Sequence, residues 1–79
     1  MNDTIVVCVV PHAILRKLVK GEGPIDLSLP AGATVGDVPE ALGFPQMELV
    51  FSLNGQIAAG QDLLKDGDRL DIIPAIAGG

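Results

Sequence analysis

The stretch Met47-Glu48-Leu49-Val50-Phe51-Ser52-Leu53-Asn54-Gly55-Gln56-Ile57-Ala58-Ala59 decides how the rest of this chain must be arranged. Met47, Leu49, Phe51 and Leu53 alternate with Glu48, Val50 and Ser52, the period-two pattern of a strand with one face turned to a core. Asn54-Gly55 follows, the dipeptide best suited to a type I′ turn, which needs positive φ at both central residues. The chain therefore folds straight back, and Gln56 to Ala59 forms a short return strand.

Toward the N-terminus from this hairpin, Thr34-x-x-Asp37 has the spacing of a capping box with Asp in place of Glu. Val35, Val38, Ala41 and Leu42 fall on one helical stripe, so the spacing predicts a helix over 35–42 with Gly43 as its cap. Pro39 conflicts with that boundary, because a proline at the fifth helical position removes a hydrogen bond; the helix is either bent or begins nearer Pro39. Before it, Ile25, Leu27 and Leu29 alternate with Asp26 and Ser28, a half-buried strand ended by Pro30-Ala31-Gly32. Thr4 to Val10 is a nearly unbroken β-branched run closed by Pro11, read as a central strand covered on both faces. The connection between these two strands, Pro11 to Gly23, can carry a short helical turn with Ile14, Leu15 and Leu18 inward.

Toward the C-terminus, Leu63 to Asp68 holds a loop and a turn, and Arg69 to Ile73 makes the last strand. Leu70 and Ile72 face the core there, which leaves Ile73 on the opposite parity. The order is strand, connection, strand, helix, strand, short strand, strand. An α+β domain accounts for all of it: a mixed sheet of four to five strands packed on one main helix, the β-grasp architecture. It spans residues 1–73, and 74–79 form an extended tail ending in Gly-Gly.

Composition narrows the function classes. The chain has 79 residues, 48% of them hydrophobic and mostly aliphatic, which fits one small globular domain rather than a disordered segment. The single Cys8 cannot form an internal disulfide and lies in an apolar run, where a thiol acts as a small buried hydrophobe. No stretch reaches the ~18 apolar residues of a membrane span, and Met1-Asn2-Asp3 lacks the positive start of a signal peptide, so a cytoplasmic, reducing location is expected. A formal charge of −5 argues against nucleic acid and anionic membranes as partners. Asp62, Asp66, Asp68 and Asp71 crowd the last third, so a partner grasping that end is expected to present a basic surface. His12 is the one histidine and Cys8 the one cysteine, too few ligands for a metal site of that type, and His12 is read as a surface or packing residue.

The tail is where chemistry is expected. Pro74 stiffens the root of an arm whose six residues to Gly79 extend about 20 Å at ~3.3 Å each, long enough to thread a partner's active-site channel. Ile76 offers one apolar handle, and Ala77-Gly78-Gly79 carry so little side chain that a narrow tunnel can close around them. Ile73 and Pro74 with Ile76 form a small apolar patch at the root, although Ile73 could equally pack under the first connection.

Set in order, Leu15-Arg16, Leu29-Pro30-x-Gly32-Ala33-Thr34-Val35-Gly36-Asp37, Ala41-Leu42-Gly43, Leu53-Asn54-Gly55, Leu64-x-Asp66-Gly67-Asp68 and Pro74 to Gly79 span nearly the whole chain. The chain resembles the ubiquitin-like sulfur carriers, typified by the small subunit of molybdopterin synthase and the thiamin-pathway sulfur carrier. It departs from them at Pro39, where a good helix former is usual, and at Pro11-His12, where an aromatic generally begins the connection.

The resemblance implies that Gly79 is joined to AMP by an E1-like adenylyltransferase using Mg and ATP, and that a cysteine-based sulfur donor enzyme converts the adenylate to a thiocarboxylate. It also implies a partner that takes the tail, the catalytic large subunit of molybdopterin synthase, with thiamin thiazole synthesis or ligation to lysines as a ubiquitin-like modifier the alternatives. On this reading the chain binds no cofactor itself and is a carrier rather than an enzyme, Gly79 bearing the sulfur while Ile73, Pro74, Ile76, Ala77 and Gly78 meet the partner. The residues themselves supply no nucleophile set and no phosphate-cradling loop. A passive β-grasp interaction module is the remaining possibility.

Overall fold

The structure, a computed structural model, describes residues 3–19 and 23–75. Five strands form one sheet: β1 Thr4–Pro11, β2 Ile25–Pro30, β3 Leu49–Leu53, β4 Gln56–Ala58 and β5 Arg69–Pro74, in the order β2-β1-β5-β3-β4. β1 and β5 run parallel at the centre, and every other pairing is antiparallel. A 3₁₀ helix Ala13–Leu18 lies in the first connection, and α1, Asp37–Leu42, follows β2. This is the expected mixed sheet of a ubiquitin-like β-grasp fold.

The hairpin forms as its sequence dictates. Asn54 has φ 52° and Gly55 φ 88°, the two left-handed residues of a type I′ turn, and Leu53 faces Gln56 across it. Asn54 does more than turn: its Oδ1 accepts the Arg69 N–H at 2.9 Å and its Nδ2 donates to Asp68 at 2.9 Å, tying the turn to the start of β5.

Alternation places Val7 and Val9 of β1, Leu70 and Ile72 of β5 and Leu29 of β2 on one face, with Leu15, Ala33, Val35, Val38, Phe44 and Leu64 packed over them. Burying these aliphatic side chains, at about 1.5–3 kcal/mol each, is what holds a chain this small together. Among the described residues only that face is covered. β1 is not buried on both sides as its β-branched run suggests: Val6 is 41% exposed and Cys8 half-buried, so the thiol lies outside the core. A continuous apolar run is compatible with either state, and a single helical layer leaves the other face to solvent.

α1 begins at Asp37, two residues later than the stripe predicts, with Gly36 as N-cap. Pro39 is then the third helical residue, and its missing N–H is one of the four that a helix start leaves unpaired, so it costs nothing. Thr34 N–H donates to Asp37 Oδ2 at 2.9 Å, the returning half of the predicted box. Gly43 ends the helix at φ 74°, and its N–H and that of Phe44 reach Glu40 and Pro39 carbonyls. Val38 is fully buried and Leu42 half-buried, but Ala41 is exposed, because so short a helix seats only its first turn firmly.

Three further expectations change. Ile14 and Leu18 are exposed and only Leu15 is buried. β3 starts at Leu49, leaving Met47 exposed outside it. β5 runs on through Pro74, one residue beyond the expected strand end.

Candidate functional site

The uncovered sheet face is built by the residues whose parity opposes the core. β1 contributes Val6, Cys8 and Val10, β5 contributes Arg69, Asp71 and Ile73, and β3 contributes Val50 and Ser52. Cross-strand pairing sets Ile73 beside Val50 and Asp71 beside Ser52, and Ile57 of β4, 79% exposed, pairs with Ser52 on the outer side. The result is an apolar centre with one cluster of charge. Ile73 is half-buried there, on the face away from Leu70 and Ile72, next to the point where the chain leaves the sheet.

Pro74 is not part of that surface. It pairs with Leu49 and is buried, and the Ala75 N–H donates to the Glu48 carbonyl at 3.0 Å, so the sheet holds the chain one residue past the strand. The chain is therefore still held by the sheet at Ala75, beyond the expected start of the tail at Pro74. Ile76, Ala77, Gly78 and Gly79, the remaining predicted site residues, lie outside the described residues.

The charge cluster joins three residues. Arg69 Nε–H donates to Asp71 Oδ1 at 2.9 Å and Nη2–H to Oδ2 at 3.3 Å, and His12 Nε2 lies 2.8 Å from the same Oδ2. The Arg69 hydrogen bond holds the Asp71 carboxyl below its usual range, burial opposes this, and His12 adds to the lowering. Asp71 in turn raises the Arg69 pKa. A hollow of about 250 Å³ adjoins the cluster, lined by Val10, Pro11, His12, Arg16, Gly23 and Pro24. His12 is thus more than a bystander: β1 delivers it to β5 by the His12 N–H to Ile72 carbonyl bond of 3.0 Å. Arg69-x-Asp71 was readable as a same-face pair on one strand; His12 was not, because its partner is 59 residues away.

The crowded aspartates prove to be structural. Asp62 Oδ2 accepts the Ala59 N–H and Asp68 Oδ2 the Lys65 N–H, while each Asp N–H returns to the carbonyl of that same residue. Asp37 and Thr34 repeat the device, and Asp66 Oδ1 accepts the Val6 N–H at 2.7 Å. These carboxylates staple turns and extend the sheet edge, and Asp71 is matched by Arg69. Among the described residues no group of three or more metal-ligating side chains comes together, and no helix is long and apolar enough to cross a membrane.

Comparison with known proteins agrees with this geometry. The model of the ThiS family matches residues 13–79. The solution structure of the Haloferax volcanii HVO 2177 protein superposes with TM-score 0.79 at 26% identity, covering 98% of this chain and 89% of that one. A Pyrococcus furiosus protein described as a candidate molybdopterin converting factor, subunit 1, gives TM-score 0.75 at 25% identity over 91% of this chain and 99% of the other. The small archaeal modifier protein 1 of Methanosarcina acetivorans gives 0.71 at 25% identity over 96% and 98%. A family match over residues 13–79 and a β-grasp sheet place this protein in the ThiS family of ubiquitin-like sulfur carriers.

Proposed function

We propose that the chain carries sulfur as a thiocarboxylate on Gly79 and delivers it in molybdopterin synthesis. A carboxylate at Gly79 is ionised at neutral pH and a poor electrophile, so it must first be activated. An E1-like adenylating enzyme joins it to AMP from Mg-ATP with release of pyrophosphate. A persulfide sulfur on a cysteine-based donor then displaces AMP, and a thiol reductant cleaves the remaining S–S bond to leave the thiocarboxylate on the carrier. The catalytic large subunit of molybdopterin synthase takes the tail and transfers the sulfur to a pterin precursor.

The observation that supports this reading is the place of β5: it is the central strand, and it ends at Pro74 beside the apolar face that holds Ile73 and Val50. An enzyme docked on that face would meet the residues that follow β5. The chemistry belongs to the partners, and the chain acts as substrate and carrier. The likeness to the Pyrococcus furiosus converting-factor subunit favours molybdopterin over thiazole synthesis, and the likeness to the small archaeal modifier protein supports a second reading, ligation to lysines.

Intact mass of the chain after incubation with the adenylating enzyme, Mg-ATP and a sulfur source tests the proposal. The expected product is the mass of one oxygen exchanged for sulfur, which then drives pterin conversion by the large subunit. Conjugates on lysines of other proteins with no such exchange would replace it with the modifier reading.

A further inference from the structure

An apolar docking face has no need of an ordered arginine, yet Arg69, the first residue of β5, sits on it 62% exposed while Asp71, which holds it, is only 17% exposed. Asp71 has both oxygens engaged, Oδ1 by Arg69 and Oδ2 by Arg69 and His12, so it has little left to offer a partner. The guanidinium spends its Nε–H and one Nη2–H on Asp71 and keeps its other N–H groups on the exposed side. Its fork is already oriented, so a second carboxylate meeting it loses little by ordering the side chain. His12, 43% exposed, lies on the other side of Asp71 and opens onto the hollow shared with Arg16.

The surroundings make this local positive charge informative. The protein as a whole carries −5, yet the acidic residues flanking Arg69 are committed, Asp68 to a backbone N–H and Asp71 to Arg69 itself; Asp26, exposed beside Cys8 on β2, lies on the same face two strands away. We infer that the partner covering the open sheet face places an acidic side chain against Arg69 and His12, with Asp71 as the positioning residue that aims Arg69 at it. This reverses the basic partner surface that the aspartate-rich sequence suggests. Apolar contact around Val10, Ile73 and Val50 supplies area, and the arginine–carboxylate pair supplies orientation, fixing which way the tail enters the partner.

The inference rests on the proposed carrier function, and its test separates the two. Affinity of the full chain for the E1-like adenylating enzyme of the same cell is measured together with adenylation of Gly79, for the natural chain, Arg69→Glu, Arg69→Gln, Asp71→Asn and Ile73→Asp. Arg69→Glu weakens binding by about 30-fold or more and Arg69→Gln by less, with the salt dependence of association reduced in both. Replacing the partner's facing carboxylate by lysine restores binding of Arg69→Glu, a rescue that a merely structural arginine would not show. Asp71→Asn weakens binding although it makes the face more positive, because Arg69 is no longer held; tighter binding would remove Asp71 from the positioning role. Thermal melts confirm that each variant is folded. If Arg69→Glu binds like the natural chain while Ile73→Asp does not, the carboxylate inference is overturned and docking on this face stands. If the natural chain is neither bound nor adenylated, both fall.

Discussion

His12 and Asp71 lie 59 positions apart in the chain and meet at 2.8 Å, Nε2 to Oδ2, across the parallel pair β1 and β5. The pairing sets Val10 beside Asp71 and Pro11 beside Ile72, so the residue after the end of β1 falls next to the Asp71 carboxylate. A contact of this kind depends on the central parallel pairing being complete, and it reports on the integrity of the open sheet face.

The first prediction concerns acid. Asp71 is held below its ordinary value of 3.8, first by its hydrogen bond with Arg69 and further by His12. A carboxyl whose folded pKa is depressed adds stability that is fully present above its unfolded value and is lost as pH falls through the folded one. The stability gap between the natural chain and Asp71→Asn therefore shrinks steadily as pH falls below about 4. Urea titrations across that range check it, and a gap that does not change would show that the ion pair contributes nothing to folding.

The stapled turns make a second prediction. Asp62→Ala and Asp68→Ala each leave a turn N–H without its carboxylate and cost about 1 kcal/mol, while the corresponding Asn variants, which keep an acceptor oxygen, lose less. Denaturant midpoints at neutral pH measure both, and Ala variants as stable as the natural chain would contradict the assignment.

Two glycines in close contact supply a third. A Cβ on Gly36 would lie 3.1 Å from the Gly60 carbonyl oxygen, to which the Gly36 N–H donates at 2.8 Å, whereas one on Gly60 would find nothing nearer than 3.7 Å. Gly36→Ala should therefore push the α1 start away from the 59–62 turn and cost about 1–2 kcal/mol. Gly60→Ala should stay within about 0.5 kcal/mol of the natural chain. Equal effects on thermal unfolding would mean that the contact relaxes without cost.

The tail gives the fourth. Gly78→Val abolishes adenylation, because the added side chain narrows the clearance for the tail in a partner's channel. A variant adenylated at the natural rate would show that no narrow channel receives the tail.

Much of the fold was legible because its signals are local. Asn54-Gly55 needs only its own two φ angles to turn the chain, Gly43 only its left-handed cap, and Leu70 and Ile72 only their parity on one strand. The errors fall where the answer depends on what lies opposite. The run around Cys8 reads as buried on both faces, and only the single helical layer shows that one face is open. Likewise Asp62, Asp66 and Asp68 look like free surface charge until the turns they staple are in place.

By itself the sequence determined the kind of protein: alternation, turn chemistry and the order of elements specify a β-grasp sheet, because each is set by residues within a few positions of one another. The tertiary structure alone decided which residues share the open face of that sheet. Parallel pairing of the first and last strands brings His12 to Asp71, antiparallel pairing with β3 retains Pro74 inside the sheet, and Ile73 and Arg69 are left facing outward. Those placements follow from register between distant segments, and no local pattern encodes them.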